Sequence, residues 1–76
     1  MMSEQEALVP MIIGEVRDQL EALGYSHPNV MAEGGQLKVT LPNGRQAATD
    51  IPHIHNVFDI STDLTEALHS VLTGPG

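Results

Sequence analysis

The sequence predicts an α+β domain in which an N-terminal and a C-terminal helix pack on one face of a small antiparallel sheet, in the order α-β-β-β-α. Two observations carry this prediction. Apolar and polar residues alternate strictly over 37–41 before a Pro-Asn-Gly loop. Apolar stripes at helical spacing flank this region on both sides. All 76 residues are expected to form a single domain, with 1–5 and 74–76 frayed.

The first helix is expected over roughly 9–23. Ser3 and Glu6 have the spacing of a capping box, which favours an earlier start, whereas Pro10 argues against a helix that already includes the preceding turn. Gly24 is the expected helix stop. The predicted inner face of this helix consists of Val9, Ile12, Ile13, Val16, Leu20 and Leu23.

Three strands are expected after this helix, at 29–33, 37–41 and 45–49. Gly34-Gly35 makes the first tight turn. Pro42-Asn43-Gly44 suits a hairpin loop with proline in a type I turn and glycine in the left-handed conformation. The third strand is rich in alanine, so we expect it to be short or irregular.

Residues 50–60 are the most ambiguous stretch. Pro52 argues against a central strand, while Ile54, Val57, Phe58 and Ile60 are expected to be buried. A partly extended connection is favoured, and a fourth strand at the sheet edge is the alternative. Ser61, Thr62 or Asp63 then caps a second helix. Its predicted inner face consists of Leu64, Ala67, Leu68, Val71 and Leu72.

Charge limits the classes of partner. Ten Asp and Glu against three Lys and Arg give a net charge of −7, and the basic residues Arg17, Lys38 and Arg45 are scattered. Direct contact with nucleic acid phosphates or an anionic membrane is therefore disfavoured, and a basic protein partner is favoured. The chain has no cysteine and no apolar segment of membrane-spanning length or signal-peptide character. A cytoplasmic location is expected.

Glu15, Asp18 and Glu21 are spaced by three residues and lie along one side of the first helix. We interpret them as a docking surface for a basic partner, because clustered acids speed association and select against wrong partners. The alternative is an ordinary solvated helix face.

His53, His55 and Asp59 form the second candidate site. If the segment is extended, these residues share a face and offer two imidazoles and a carboxylate, a donor set that suits zinc or ferrous iron. The alternative is a polar loop with solvated histidines. His69 is interpreted as a partner for the dipole at the helix C-terminus.

The sequence therefore favours a small acidic adaptor, inhibitor or regulatory factor, of the kind that bacteria and phages encode, that binds a basic protein surface. A metal-stabilised domain and a structural subunit of a larger assembly are the alternatives. An enzyme is not expected, because no nucleophile, base and orienting group occur together. No cofactor other than the metal is indicated. Homodimerisation through the open sheet face or an edge would complete the small sheet.

Overall fold

The computed structural model describes residues 3–74 and confirms the predicted order α-β-β-β-α. The elements are α1 Glu4–Ala22, β1 Asn29–Glu33, β2 Gln36–Thr40, β3 Gln46–Asp50 and α2 Val57–Thr73. The three strands form an antiparallel sheet with β2 in the centre. The fraying expected at residues 1–2 and 75–76 lies outside the described residues. Within 3–74, neither helix is long and apolar enough to cross a bilayer.

Helix α1 begins at Glu4, which corrects the expected start near residue 9. Ser3 is the N-cap, and its Oγ accepts a hydrogen bond from the Glu6 amide at 3.2 Å. The Ser3 hydroxyl also donates to Glu6 Oε1 at 3.4 Å, so Ser3 and Glu6 pair through the Ser3 side chain and form half of the predicted capping box. The cap and the tertiary contacts of the first turn offset the backbone hydrogen bond that Pro10 removes.

The strongest of these tertiary contacts joins Gln5 to Ile54, in the connector before α2. The Gln5 amide nitrogen donates to the Ile54 carbonyl at 3.0 Å, and Gln5 Oε1 accepts from the Ile54 amide at 2.7 Å. Ile54 is only 4% exposed, so water cannot readily replace these bonds. A single side chain thereby satisfies both backbone groups of a buried residue.

Replacing Gln5 with methionine is expected to lower the free energy of unfolding by about 1–3 kcal/mol, because it leaves the buried Ile54 amide and carbonyl without partners. Chemical denaturation measures this loss. Gln36→Met is the matched control, because Gln36 is exposed and its amide bonds only the exposed Asp50 at 3.1 Å. An equal loss in both variants would show that the bonds to Ile54 do not carry the effect.

Helix α1 ends as the glycine signal predicts. Gly24 has a φ of 107°, its amide donates to the Glu21 carbonyl, and the Tyr25 amide donates to the Leu20 carbonyl. These two bonds are those of a Schellman motif, which turns Tyr25 back onto the core. Leu23, however, is 53% exposed, so its expected burial is wrong. It lies at the helix cap, where the chain turns away.

The sheet has one covered face and one open face. In the central strand, Leu37 and Val39 are fully buried against the helices, while Lys38 and Thr40 lie on the other side. Ala47 is paired with Val39 and is also buried. Helices α1 and α2 contact each other, and they contact β1 and β3 respectively, so both pack on the covered face as predicted.

Both hairpin loops follow their sequence signals. Gly34 and Gly35 have φ values of 59° and 78°, the signature of a two-residue type I′ turn. In the second loop the Gly44 amide donates to the Leu41 carbonyl at 2.9 Å, and Gly44 has a φ of 91°. Strand β3 pairs with β2 at all five of its residues, so the expected irregularity is wrong. Packing of Ala47 beneath the helices outweighs its low strand propensity.

Helix α2 begins at Val57, earlier than expected from the sequence. Asn56 is the N-cap, and its Oδ1 accepts from the Asp59 amide at 3.0 Å, so Ser61, Thr62 and Asp63 lie inside the helix. Residues 51–56 form an irregular connector, and the alternative of a fourth strand at 50–60 is wrong. Ile54 and Ile60 are buried as expected, but Phe58 is 64% exposed.

The buried face of α2 is rotated from the predicted one. Val71 is 54% exposed and Ala67 is also exposed, whereas Ser61 and Thr65 are buried. The rotation follows from packing, because α2 must cover both the sheet and α1. Among residues 3–74, Ser61 Oγ and Thr65 Oγ1 are the buried side-chain polar atoms without a hydrogen-bond partner.

Replacing Ser61 with alanine is expected to raise the free energy of unfolding by about 1 kcal/mol, because a fully buried hydroxyl without a partner costs more than a methyl group. Thermal or urea unfolding measures the gain. Ser70→Ala, at an exposed site on the same helix, corrects for the higher helix propensity of alanine. A loss of stability specific to Ser61→Ala would contradict this account.

Candidate partner-binding surface

The formal charge is divided unequally between the two layers of the fold. The two helices together carry eight acidic residues and one arginine, Arg17. The acidic residues are Glu4, Glu6, Glu15, Asp18, Glu21, Asp59, Asp63 and Glu66. The strands and loops between the helices carry two acids and two bases, which cancel. The net charge of −7 therefore lies on the helix layer, defined here as α1 and α2.

The predicted docking residues lie in this layer. Asp18 and Glu21 are exposed, whereas Glu15 is half-buried. Within the described chain, the single salt bridge is the exposed pair of Lys38 and Glu33 on the sheet, at 3.8 Å. The carboxylates of the predicted surface thus form no ion pair with another residue of 3–74.

Glu21 occupies an electrostatically unfavourable place. It lies in the last turn of α1, which has no basic residue, and the negative end of the helix dipole is located there. An acid in this position typically costs a few tenths of a kcal/mol to about 1 kcal/mol of helix stability. Glu21 therefore does not contribute to the stability of α1 through the helix dipole.

The two helices lie side by side and run in the same direction. Gln5 at the start of α1 bonds Ile54 just before α2, and near the end of α1 the Gln19 amide nitrogen donates to Thr62 Oγ1 at 3.4 Å. The contact between them forms a seam that is open to solvent on the side away from the sheet.

Large exposed apolar side chains lie on both helices. Phe58 is one turn before Thr62 and shares its side of α2, whereas Met11, eight residues before Gln19, lies about 80° around α1 from it. Phe58 is 64% exposed, Met11 57% and Leu23 53%. The helix layer therefore combines strong negative charge with large apolar side chains, a composition that differs from a purely solvated helix face.

A shallow cleft opens in the seam beside the C-terminal half of α1. We call it the seam cleft. It has a volume of about 260 Å³ and is lined by Gln19, Ala22, Leu23, Thr62, Thr65 and Glu66. Its walls are mainly apolar, and Glu66 lies at the exposed rim. Sequence reasoning missed this cleft, because it depends on the relative placement of two helices distant in sequence.

The residues of the proposed metal site are not brought together. The prediction that His53, His55 and Asp59 share an extended face is wrong, because the chain enters α2 at Val57. All three are exposed. Among residues 3–74, no group of three or more His, Cys, Asp or Glu side chains is placed to hold one metal ion.

His69 has a structural contact that the sequence did not indicate. The Tyr25 hydroxyl and His69 Nδ1 are hydrogen-bonded at 2.6 Å, and the two rings meet edge to face with centroids 5.6 Å apart. His69 is half-buried rather than on the outer face. The pair ties the connector after α1 to the end of α2.

The open face of the sheet is largely polar. Its central row consists of Met31, Lys38 and Ala48, as the strand register requires. The flanking rows consist of Asn29, Thr40 and Gln46, and of Glu33, Gln36 and Asp50. On the described part of this face, Met31 and Ala48 are the apolar residues, so the contiguous apolar patch expected of a structural subunit is not found there. Dimerisation through this face or an edge stays a prediction.

No protein-family model, curated protein or solved structure matches this chain.

Proposed function

We propose that this protein is a small acidic interaction module without catalytic activity, which binds a basic protein surface in the cytosol through its helix layer. The observation that carries the proposal is the placement of the whole net charge of −7 on α1 and α2, while the charges of the sheet and loops cancel. A field of one sign over one side of a small domain attracts and orients a basic partner.

The exposed apolar residues of the helix layer support the same surface. Charge at an interface rim raises the association rate, but buried apolar and aromatic anchors usually supply most of the affinity. Phe58, Met11 and Leu23 are large, more than half exposed and located on the acidic layer. They are suitable anchors for a partner that carries apolar residues among its basic ones.

The mode of action that follows is occupation of the partner's basic surface. A partner surface rich in lysine and arginine that binds this layer is unavailable to other acidic ligands. The proposal therefore favours an inhibitor or adaptor that competes for a basic surface. Glu15, Asp18 and Glu21 form the charged part of the contact, and the seam forms its apolar part.

Affinity capture from the native cell lysate tests this function. The immobilised protein is washed at about 0.05 M and then at about 0.5 M salt, since exposed charges are screened at the higher ionic strength. We expect a protein with a basic surface patch to bind at low salt and to elute at high salt. An unrelated protein of similar size and charge serves as the control. Capture of neutral or acidic proteins that resist salt would contradict the proposal.

A further inference from the structure

We infer that the seam cleft is the receptor for an arginine side chain of the basic partner, an inference that rests on the proposed function. The cleft lies inside the acidic helix layer, and the exposed Glu66 at its rim is one of the acids of that layer. A basic segment drawn to this layer therefore meets the cleft within its contact area.

The walls of the cleft suit the aliphatic stem of a long basic side chain. Ala22 and Leu23 supply the α1 side, and the methyl-bearing Thr62 and Thr65 supply the α2 side. Leu23 is 53% exposed in the free protein, so a stem lying against it would remove apolar surface from water.

Thr65, one of the residues that line the cleft, has an unused polar group. Thr65 is only 3% exposed, and its hydroxyl has no hydrogen-bond partner among the residues that the structure describes. Buried polar groups without a partner are uncommon, because each carries a desolvation cost. The hydroxyl oxygen is itself buried, so a donor in the cleft would satisfy it only after the side chains around it moved aside.

Gln19 supplies a second acceptor. The Thr62 hydroxyl donates its hydrogen to the Phe58 carbonyl at 3.0 Å, so at its contact with Gln19 it must act as the acceptor. The Gln19 side chain therefore turns its nitrogen toward Thr62, and no hydrogen bond within residues 3–74 involves its oxygen. Gln19 Oε1 thus offers a neutral acceptor beside the buried Thr65 hydroxyl, and the Glu66 carboxylate offers a charged one.

An arginine matches this combination better than the other common side chains. Its guanidinium has several N–H donors in a fixed plane, binds a carboxylate well and is less strongly hydrated than the ammonium of lysine. An apolar side chain would fill the walls but would leave the Thr65 hydroxyl without a partner. An acidic side chain would be repelled by Glu66.

The test uses N-acetyl-arginine methylamide as the probe and its citrulline analogue, a neutral molecule of nearly the same shape, as the ligand control. Amide shifts in ¹H–¹⁵N spectra report the site. We expect the arginine probe to shift the amides of Ala22, Leu23, Thr65 and Glu66 in a saturable manner. The citrulline analogue is expected to bind about tenfold more weakly or not at all.

Protein variants locate the site. Glu66→Gln and Thr65→Val are each expected to weaken binding of the arginine probe by about five- to tenfold. Asp63→Asn is the matched control, because it removes the same charge from α2 outside the cleft, and we expect less than a twofold change. Glu66 is exposed, so its variant keeps the fold even if Thr65→Val unfolds.

An octa-arginine peptide separates failure of this inference from failure of the proposed function. The cleft assignment would be overturned if the peptide binds in a salt-sensitive manner, Glu66→Gln and Asp63→Asn weaken its binding equally, and the arginine probe does not shift the cleft amides. That result would still support the acidic surface. Absence of peptide binding at low salt would overturn both.

Discussion

Replacing Leu37 with alanine is expected to lower the free energy of unfolding by about 2–5 kcal/mol. Leu37 is fully buried in the central strand, and it belongs to the core cluster formed by the sheet and both helices. A domain of this size has a total stability of only about 4–11 kcal/mol, so the variant loses a large part of it. Urea unfolding followed by circular dichroism measures the loss.

Lys38→Gln is the control for this prediction. Lys38 is the next residue on the same strand but lies on the open face, where its contact is the exposed Glu33 at 3.8 Å. A change within about 0.5 kcal/mol is expected there. If Leu37→Ala and Lys38→Gln lower the free energy of unfolding by similar amounts, the assignment of Leu37 to the covered face and Lys38 to the open face is wrong.

Reversing Glu15, Asp18 and Glu21 to lysine is expected to slow association with a basic partner by about 10- to 1,000-fold at low salt. The three changes bring the helix layer from its net charge of −7 almost to neutrality. Stopped-flow or surface-plasmon measurements with the captured partner give the association rate. The difference between wild type and variant should shrink as salt increases.

Matched double variants decide whether the location of the charge matters. Asp18→Lys with Glu21→Lys changes the helix layer, whereas Glu33→Lys with Asp50→Lys makes the same change in net charge on the sheet. All four residues are exposed. We expect the double variant on the helix layer to slow association with the partner much more than the double variant on the sheet. Equal effects would show that total charge, and not the helix layer, directs binding.

Local signals in the sequence were sufficient for the order of elements and for most of the turns. The alternation over 37–41, the Gly34-Gly35 turn and the Gly44 loop act over a few residues, so neighbouring sequence determines them. Gly24 ended α1 for the same reason. The acidic residues of α1 were also identified from sequence, because charge and helical spacing place them on the helix without knowledge of its neighbours.

Competing signals explain the errors in helix boundaries. Near the start of α2 several residues had the chemistry of an N-cap and the local sequence did not rank them, while Pro10 argued against the turn of α1 that Ser3 caps. Asn56 became the cap of α2 and Ser3 the cap of α1. The early start of α1 is supported by the bonds of Gln5 to Ile54, which are 49 residues apart in sequence. An earlier start for α2 also removed the extended face on which the metal hypothesis depended.

By itself, the sequence determined the fold class, the strand order, the turns and the negative charge, because these follow from residue type and short-range spacing. Only the tertiary structure decided which sides of the helices are buried, and thereby exposed Leu23 and Phe58 and buried Thr65 without a partner. The reason is physical. Two parallel helices on one sheet must each cover both the sheet and the other helix, so their crossing and contact determine the buried face and create the seam cleft.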